Sequence, residues 1–148
     1  MPSSPPSADD PGRRALCSRS ELRALATKAG LGAGLPIGIA ERWAEACCTD
    51  GDLVACLART LSDGAGREAL LGAPSAVELH ACGLPAEHSL HLDGRLWDAL
   101  EGEPDGPPGP VAVPAAALAG LRDLALRTLV PFGGDDIANA GAGLTDND

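Results

Sequence analysis

The sequence predicts an α+β protein with an amino-terminal helical bundle, a small antiparallel sheet, and a carboxyl-terminal helix followed by an extended tail. Apolar residues recur at helical spacing between residues 18 and 64 and again after residue 114. Between residues 77 and 113, short apolar segments alternate with polar residues, which is typical of half-buried strands. At 148 residues, the chain is long enough for one domain with its own core.

Composition sets the predicted domain limits. Residues 1–15 are rich in Ser, Pro and Asp, so we expect a disordered leader. Residues 16–148 form a single α+β domain that includes a flexible loop over 101–110 and the tail over 129–148. The loop sequence EGEPDGPPGP contains four prolines and no apolar side chain that a packed element would need.

The first helix is predicted to begin at Ser18. Ser18 and Glu21 have the spacing of a capping box, in which each side chain bonds to a backbone N–H of the other residue. One apolar stripe then follows at helical spacing, formed by Leu22, Leu25, Ala26 and Ala29. Gly30 is the predicted stop, and the glycines at 32 and 34 make the connection to the next helix flexible.

Two more short helices complete the predicted bundle. Pro36 suits the first turn of the second helix. The predicted apolar stripe of that helix is Ile37, Ala40, Trp43, Ala44 and Cys47. The third helix follows the turn sequence Thr49-Asp50-Gly51-Asp52, with the stripe Leu53, Cys56, Leu57, Thr60 and Leu61. Short helices with tight connections are expected to pack on one another.

The predicted sheet begins after Pro74. Val77, Leu79 and Ala81 alternate with Glu78, His80 and Cys82 as in a strand. Leu90 and Leu92 repeat the alternation before Asp93-Gly94, which favours a tight hairpin turn. The segment Leu96 to Leu100 fits either a strand or a helical turn. Residues 111–113 form a short edge strand between prolines, and Pro114 opens the last helix, whose buried side is Leu118, Leu121, Leu124, Ala125 and Thr128.

Charge and cysteine content restrict the function classes. A net charge of −10 repels phosphate backbones and anionic lipids, so neither nucleic acid nor a membrane surface is an expected partner. No apolar run is long enough to cross a bilayer, and residues 1–14 lack the apolar segment of a secretory signal, so we expect a cytoplasmic protein. The five cysteines fit that location, since their number is odd and their spacing shows no disulfide framework.

The tail is the first candidate site. Gly141 and Gly143 permit close approach of another backbone, which favours a tail that docks in a groove of this protein or of a partner, although a loosely solvated end also fits the sequence. Its aspartates are hard oxygen ligands, but their spacing does not match a calcium loop, so no metal is assigned to them. The predicted partner-binding residues are Gly32, Gly34, Gly141, Gly143, Leu144, Thr145, Asp146, Asn147 and Asp148.

A cluster of histidines and one cysteine is the second candidate. His80, Cys82, His88 and His91 include all three histidines of the chain within twelve residues. Imidazole and thiolate are ligands that zinc prefers, and His80 and Cys82 share one face of the predicted strand. The spacing matches no standard zinc finger, and His88 and His91 fall on opposite faces of a regular strand. Surface histidines on a hairpin therefore remain the competing interpretation.

No catalytic motif stands out. Cys47 and Cys56 lie in helical stripes and are expected to be inert core residues, whereas Cys17 and Cys48 are candidates for exposed thiols without a neighbouring base. The glycines between Gly30 and Gly38 separate two helices and lack the Lys-Ser/Thr of a phosphate-binding loop. There is also no serine-hydrolase elbow.

Both ends of the chain resemble an uncharacterised bacterial family that is catalogued only as a domain of unknown function. At the amino-terminal end, the resemblance depends on the residues Ser18, Glu21, Leu22, Leu25, Ala26, Lys28, Ala29, Gly32-Ala33-Gly34-Leu35, Gly38, Ala40 and Glu41. At the carboxyl end, it depends on Arg127-Thr128, Val130-Pro131 and the octapeptide Gly141 to Asp148. This chain departs from the family at Asp135-Asp136, where relatives carry Ser-Arg, and at Ile37, where they usually carry Trp. The family has no assigned activity, so the resemblance implies none.

Two functional hypotheses follow. The first is a small non-catalytic accessory or subunit protein of the cytoplasm that binds a protein partner or a second copy of itself, with no cofactor. It is motivated by a tail whose composition neither the core nor ordinary linker chemistry explains. The alternative is a small metal-assisted metabolic enzyme that uses the cluster His80, Cys82, His88 and His91 or the tail carboxylates.

Overall fold

The structure, a computed structural model, describes residues 12–84, 92–102 and 109–128. In these ranges, six helices accompany one two-stranded antiparallel sheet, so the protein is α+β. The elements are β1 (Arg14–Cys17), α1 (Arg19–Gly32), α2 (Ile37–Cys47), α3 (Gly51–Leu61), α4 (Gly64–Ala81), α5 (Gly94–Glu101), β2 (Val111–Pro114) and α6 (Ala115–Leu126).

The predicted helical bundle is present, and Ser18 and Asp50 cap its helices as the sequence predicts, but α1 continues past the predicted stop at Gly30 to Gly32. The Ser18 hydroxyl accepts a hydrogen bond of 3.2 Å from the backbone N–H of Glu21 at the start of α1. At the start of α3, the Asp50 carboxylate accepts from the N–H of Asp52 at 2.8 Å. The buried stripes are confirmed for most positions in α1, α2, α3 and α6, but Ile37 is 53% exposed and does not belong to the stripe of α2.

Helix α4 replaces the first predicted strand. The segment from Val77 to Cys82 was expected to alternate across a sheet, but α4 continues through Pro74 to Ala81. Pro74 has no N–H, so the carbonyl of Leu70, four residues earlier, loses its usual partner in the helix. The indole Nε1 of Trp43 donates a hydrogen bond of 2.9 Å to this carbonyl. A helix can therefore pass through Pro74 without an unsatisfied buried acceptor.

The end of α4 is a Schellman motif rather than a strand end. The N–H of Leu84 donates to the carbonyl of Leu79 at 2.9 Å, and the N–H of Gly83 donates to that of His80 at 3.0 Å. Gly83 has a φ of 76°. Leu79 and Leu84 occupy the two positions that usually form an apolar contact in this motif. The alternation in the sequence therefore reflects a helix and its cap.

The predicted hairpin at Asp93-Gly94 is also wrong. Asp93 is the N-cap of α5, and its carboxylate accepts a hydrogen bond of 2.9 Å from the backbone N–H of Arg95. Leu96 and Leu100 are buried on one side of α5, which decides between the strand and helix alternatives in favour of the helix. Leu90 lies outside the described residues.

The sheet joins the two ends of the described chain. Strand β1 pairs with β2 in antiparallel register, with Arg14 opposite Pro114 and Cys17 opposite Val111. The strand predicted over residues 111–113 is thereby confirmed. Strand β1 was not predicted, and it includes Arg14 and Ala15, which the sequence analysis placed in the leader. Arg14 also bonds to Asp52 of α3 at 2.8 Å, so side chains as well as backbone attach β1 to the domain.

The core lies where α1 packs between α2 and α6, with α3 against α6 and β2. Trp43 is 1% exposed, and aliphatic side chains and cysteines fill most of the remaining core of the described residues. This is the aliphatic core that the composition predicts. Most of the loop predicted over 101–110, and the tail over 129–148, lie outside the described residues.

Candidate functional site

The end of α1 and the connection from α1 to α2 contain the two described residues of the predicted partner-binding set, Gly32 and Gly34. A Cβ atom built on Gly32 would lie 1.8 Å from the carbonyl oxygen of Leu124 in α6. Only glycine therefore lets the end of α6 approach α1 this closely. The absence of a side chain at Gly32 is explained by packing within the chain.

Position 34 requires glycine for a different reason, which is its backbone conformation. Its φ is 101°, which L side chains rarely adopt. The N–H of Leu35 donates to the carbonyl of Gly30 at 2.9 Å, and that of Gly34 donates to Leu31 at 3.0 Å, so the helix ends in a Schellman motif. No atom lies within 4 Å of a Cβ built on Gly34, and the residue is exposed. Gly34 is therefore on the surface at this end of the molecule.

Two large apolar side chains are exposed on helices whose ends adjoin this connection. Ile37 begins α2 just after it and is 53% exposed, and Leu126 ends α6 and is 55% exposed. The contact between Gly32 and Leu124 places the end of α6 beside the connection. We call this region, defined by Gly34, Ile37 and Leu126, the connection surface.

The described chain ends beside the connection surface. A Cβ on Gly32 would lie 3.5 Å from the Cβ of Arg127, one residue before Thr128. The other predicted partner-binding residues, Gly141, Gly143, Leu144, Thr145, Asp146, Asn147 and Asp148, lie outside the described residues.

The predicted metal cluster depended on a strand that placed His80 and Cys82 on one face, and the structure has a helix there instead. His80 lies in the last turn of α4, and Cys82 is the C-cap of that helix. Side chains two residues apart on a helix do not face each other, so His80 and Cys82 do not share a face as they would on a strand. His88 and His91 lie outside the described residues. Among the residues that the structure describes, no group of three His, Cys, Asp or Glu side chains is placed to hold a metal ion.

The buried thiols are held in their protonated form. Cys47 and Cys48 are both inaccessible, which corrects the expectation that Cys48 is exposed. Burial raises the pKa of Cys48 to about 12, although Arg23 acts in the opposite direction. Burial also raises the pKa of Cys47, and the neighbouring thiols of Cys48 and Cys56 raise it further. Neither thiol is ionised near neutral pH, and ionisation is what a nucleophile needs.

The Asp93 carboxylate at the start of α5 lies beside the Cys56 thiol of α3. Burial raises the pKa of Cys56, and its hydrogen bond to the Asp93 carboxylate raises it further. The pKa of Asp93 is lowered from its ordinary value of 3.8, mainly by the backbone N–H of Arg95 and then by the Arg95 side chain. This arrangement fixes the start of α5. Asp93-Gly94 is therefore the start of a helix and not the predicted hairpin turn.

The described residues thus define a small, mostly helical α+β domain with a glycine-containing helix connection on its surface. A family model described as "Protein of unknown function (DUF3726)" matches residues 17–49, which span the end of β1, α1 and α2. This match confirms the resemblance of the amino-terminal segment to an uncharacterised family. No curated protein and no solved structure matches the chain.

None of the described helices has the length and apolar character that a membrane span needs.

Proposed function

We propose that the chain is a small non-catalytic accessory or subunit protein of the cytoplasm that binds a protein partner, either a different protein or a second copy. The observation that supports this proposal is the exposure of Ile37 and Leu126, 53% and 55%, at one end of the helices. Exposed apolar patches are typical of protein interfaces, and both side chains belong to helices whose ends adjoin the connection between α1 and α2. Gly34, in the connection before α2, adds exposed backbone that a partner can approach closely.

The residues Gly141 to Asp148 are the second part of the proposed interface. The chain leaves α6 at Thr128, beside the connection surface, and continues into this acidic, glycine-containing segment. Small residues let a partner contact the backbone, and the aspartates favour a partner with a complementary basic surface.

The experiment is co-purification from the source cells, followed by reconstitution with the recovered partner. The double variant Ile37→Asp/Leu126→Asp places charges on the connection surface and is expected to weaken binding at least about tenfold. Leu84→Asp is the matched control, because Leu84 is 52% exposed at the end of α4. A wild-type protein that remains a monomer and recovers no partner, with or without residues 141–148, contradicts the proposal.

A further inference from the structure

The hydrogen-bond pattern of the sheet determines which backbone groups of β1 face β2. The N–H of Ala115 donates to the carbonyl of Arg13 at 2.9 Å, and this pair continues the β1–β2 register. Hydrogen-bonded and non-hydrogen-bonded pairs alternate along an antiparallel ladder. Ala15 therefore bonds to β2, whereas the N–H and C=O groups of Arg14 and Leu16 point away from that strand.

The outer edge of β1 is open at Leu16. In the part of the chain that the structure describes, no hydrogen bond joins Leu16 to an element other than β2. Its side chain is 74% exposed, the highest value among the exposed large apolar residues described. It lies on the outer face of the sheet, since Val111 and Val113 of β2 are buried on the other face. A strand that paired here would gain backbone hydrogen bonds and an apolar contact.

The opposite edge of the sheet is covered. The carbonyl oxygen of Ala112 accepts a hydrogen bond of 3.3 Å from Nη1 of Arg14, and a Cβ built on Gly51 would lie 1.8 Å from the same oxygen. The amino terminus of α3 therefore covers β2. The Arg14 side chain also bonds to Asp52 of α3 at 2.8 Å, so it extends across the sheet and leaves the outer edge of β1 uncovered.

The charge around β1 is opposite in sign to that of the rest of the described protein. Residues 12–32, which include β1 and α1, contain five Lys or Arg and one acid. The other described residues contain six Lys or Arg and eleven acids. Arg19 and Arg23 lie in the first two turns of α1, so both are within about 10 Å of the end of β1 along the helix axis. Because charges are screened over about 8 Å at physiological ionic strength, this positive charge acts at the edge.

We propose that the outer edge of β1 binds an extended acidic peptide of another protein as a third strand of the sheet. The outward N–H and C=O groups of Arg14 and Leu16 select an extended backbone. The Leu16 side chain favours an apolar residue opposite it, because apolar cross-strand pairs stabilise a sheet. The basic residues in the range 12–32 favour acidic side chains on the rest of the peptide.

Two other occupants of the edge fit less well. A second copy of β1 would place two basic segments side by side and would bring together two chains with a net charge of −10 each. A basic peptide is attracted by the net charge of the whole protein, but it meets positive charge at this edge. An acidic peptide is therefore the occupant that the local charge favours.

The edge of β1 is separate from the connection surface. Strand β1 precedes α1 and the connection surface follows it, and the 14 residues of α1 span about 21 Å. The proposed peptide site goes beyond the function proposed above and does not depend on the partner at the connection surface. The variant Ile37→Asp/Leu126→Asp is therefore the matched control, and it is expected to bind the peptide with the affinity of the wild type.

The probe is a synthetic peptide of alternating valine and aspartate, which is added to the full chain and followed by amide hydrogen exchange in NMR. At saturating peptide, the amides of Arg14 and Leu16 are expected to exchange at least about tenfold more slowly than in the protein alone. The same peptide with N-methylated amides cannot donate strand hydrogen bonds and is expected to give no protection. A peptide of alternating valine and lysine is expected to bind at least about tenfold more weakly.

Three results overturn the proposal. The first is an unchanged exchange rate with the valine–aspartate peptide. The second is equal protection by the N-methylated peptide or by the valine–lysine peptide. The third is slow exchange of the Leu16 amide in the protein alone, which shows that the edge is already paired. If that slow exchange appears only at high protein concentration, together with a dimer in sedimentation, the occupant is a second copy.

Variants of Leu16 test the edge itself. Leu16→Pro removes an outward N–H and keeps the ladder residues of β1, and it is expected to weaken binding of the valine–aspartate peptide at least about tenfold. Leu16→Asp is the alternative if the proline variant does not fold, since it places a negative charge at an exposed position. It is expected to weaken binding of the valine–aspartate peptide but not of the valine–lysine peptide. A folded variant of Leu16 that binds the valine–aspartate peptide as tightly as the wild type contradicts the proposal.

Discussion

The indole nitrogen of Trp43 donates a hydrogen bond of 2.9 Å to the backbone carbonyl of Leu70, and this is the acceptor that Pro74 leaves without a partner inside α4. Trp43 is 1% exposed, and the bond joins α2 to α4 in the core. One side chain therefore fills core volume and also satisfies a carbonyl that the proline would otherwise leave unpaired.

This relationship predicts a coupling between Trp43 and Pro74. Trp43→Phe leaves the carbonyl of Leu70 buried and unsatisfied, so the free energy of unfolding is expected to fall by about 2–4 kcal/mol, which includes the lost ring volume. In a Pro74→Ala background, the new N–H of residue 74 can bond to the carbonyl of Leu70. Trp43→Phe is then expected to lower the free energy of unfolding by about 1 kcal/mol less than it does in the wild-type background.

Urea denaturation of the four proteins in this cycle measures the coupling. Trp97→Phe is the control, because the Trp97 indole donates to the Glu101 side chain and not to the backbone of α4. An equal cost of Trp43→Phe in both backgrounds would show that Pro74 is irrelevant to the bond.

Replacing a glycine by alanine is expected to lower the stability of the protein at a crowded position and to raise it at an open helical position. Gly32→Ala places a Cβ 1.8 Å from the Leu124 carbonyl oxygen, so α1 and α6 must separate, at a cost of about 1–3 kcal/mol. Gly120→Ala is the matched control, because nothing lies within 4 Å of its Cβ in the middle of α6. It is expected to stabilise the protein by about 0.5–1 kcal/mol through helix propensity. Thermal denaturation distinguishes the two, and a stabilised Gly32→Ala variant would contradict the packing described.

The Asp93 cap is expected to give a pH-dependent contribution to stability. Its pKa is lower in the folded protein than the ordinary 3.8, so the contribution is complete above that value and is lost as the pH falls through the folded pKa. Asp93→Ala is expected to cost about 1 kcal/mol at pH 7, and the difference from wild type is expected to shrink below pH of about 4.

Denaturation at several pH values checks this dependence. Asp93→Asn keeps a capping oxygen and is expected to be less destabilising at pH 7. Asp98→Ala removes a carboxylate from the same helix without removing the cap. A stability difference for Asp93→Ala that does not change between pH 7 and pH 3 would argue against a charged cap.

The five free cysteines are expected to react with maleimide in the order of their exposure. Cys82 is exposed and is expected to react first, followed by the half-buried Cys17. Cys47, Cys48 and Cys56 are buried and are expected to react only when the protein unfolds. Mass spectrometry of peptides after timed labelling measures the order, with labelling in urea as the control. Rapid modification of Cys48 in the folded protein would contradict its burial.

Local patterns were sufficient to predict the helices of the bundle and α6. The caps at Ser18 and Asp50 and the recurring leucines act within single helices, so they can be recognised without knowledge of the fold. Ile37 and Thr128 are exceptions: Ile37 is exposed at the start of α2, and Thr128 is exposed beyond Leu126, the last residue of α6.

The errors have non-local causes. Local sequence predicts an element boundary at Pro74, but the carbonyl of Leu70 that Pro74 leaves without a partner is satisfied by Trp43, which is 27 residues from Leu70 in sequence. Asp93-Gly94 fits a hairpin or a helix start equally well when only neighbouring residues are considered. Strand β1 has four residues, and its partner lies at the other end of the described chain, so no local pattern indicates it.

For the candidate site, the sequence singled out Gly32 and Gly34 as partner-binding residues, which stays a prediction, and it did not indicate why the fold needs glycine at these positions. The carbonyl of Leu124 and the end of α1 explain this requirement, and neither relationship is visible from spacing.

The pairing of β1 with β2 has a consequence for synthesis on the ribosome. Arg14 and Ala112 are 98 residues apart, and α1, which directly follows β1, packs against α6 at the far end of the described chain. An emerging chain can form the bundle of α1 to α3 early, but its core stays incomplete until α6 has left the exit tunnel. Apolar side chains such as Leu22 and Leu57 then remain accessible to chaperones for most of translation, and closure of this long loop is expected to limit the folding rate.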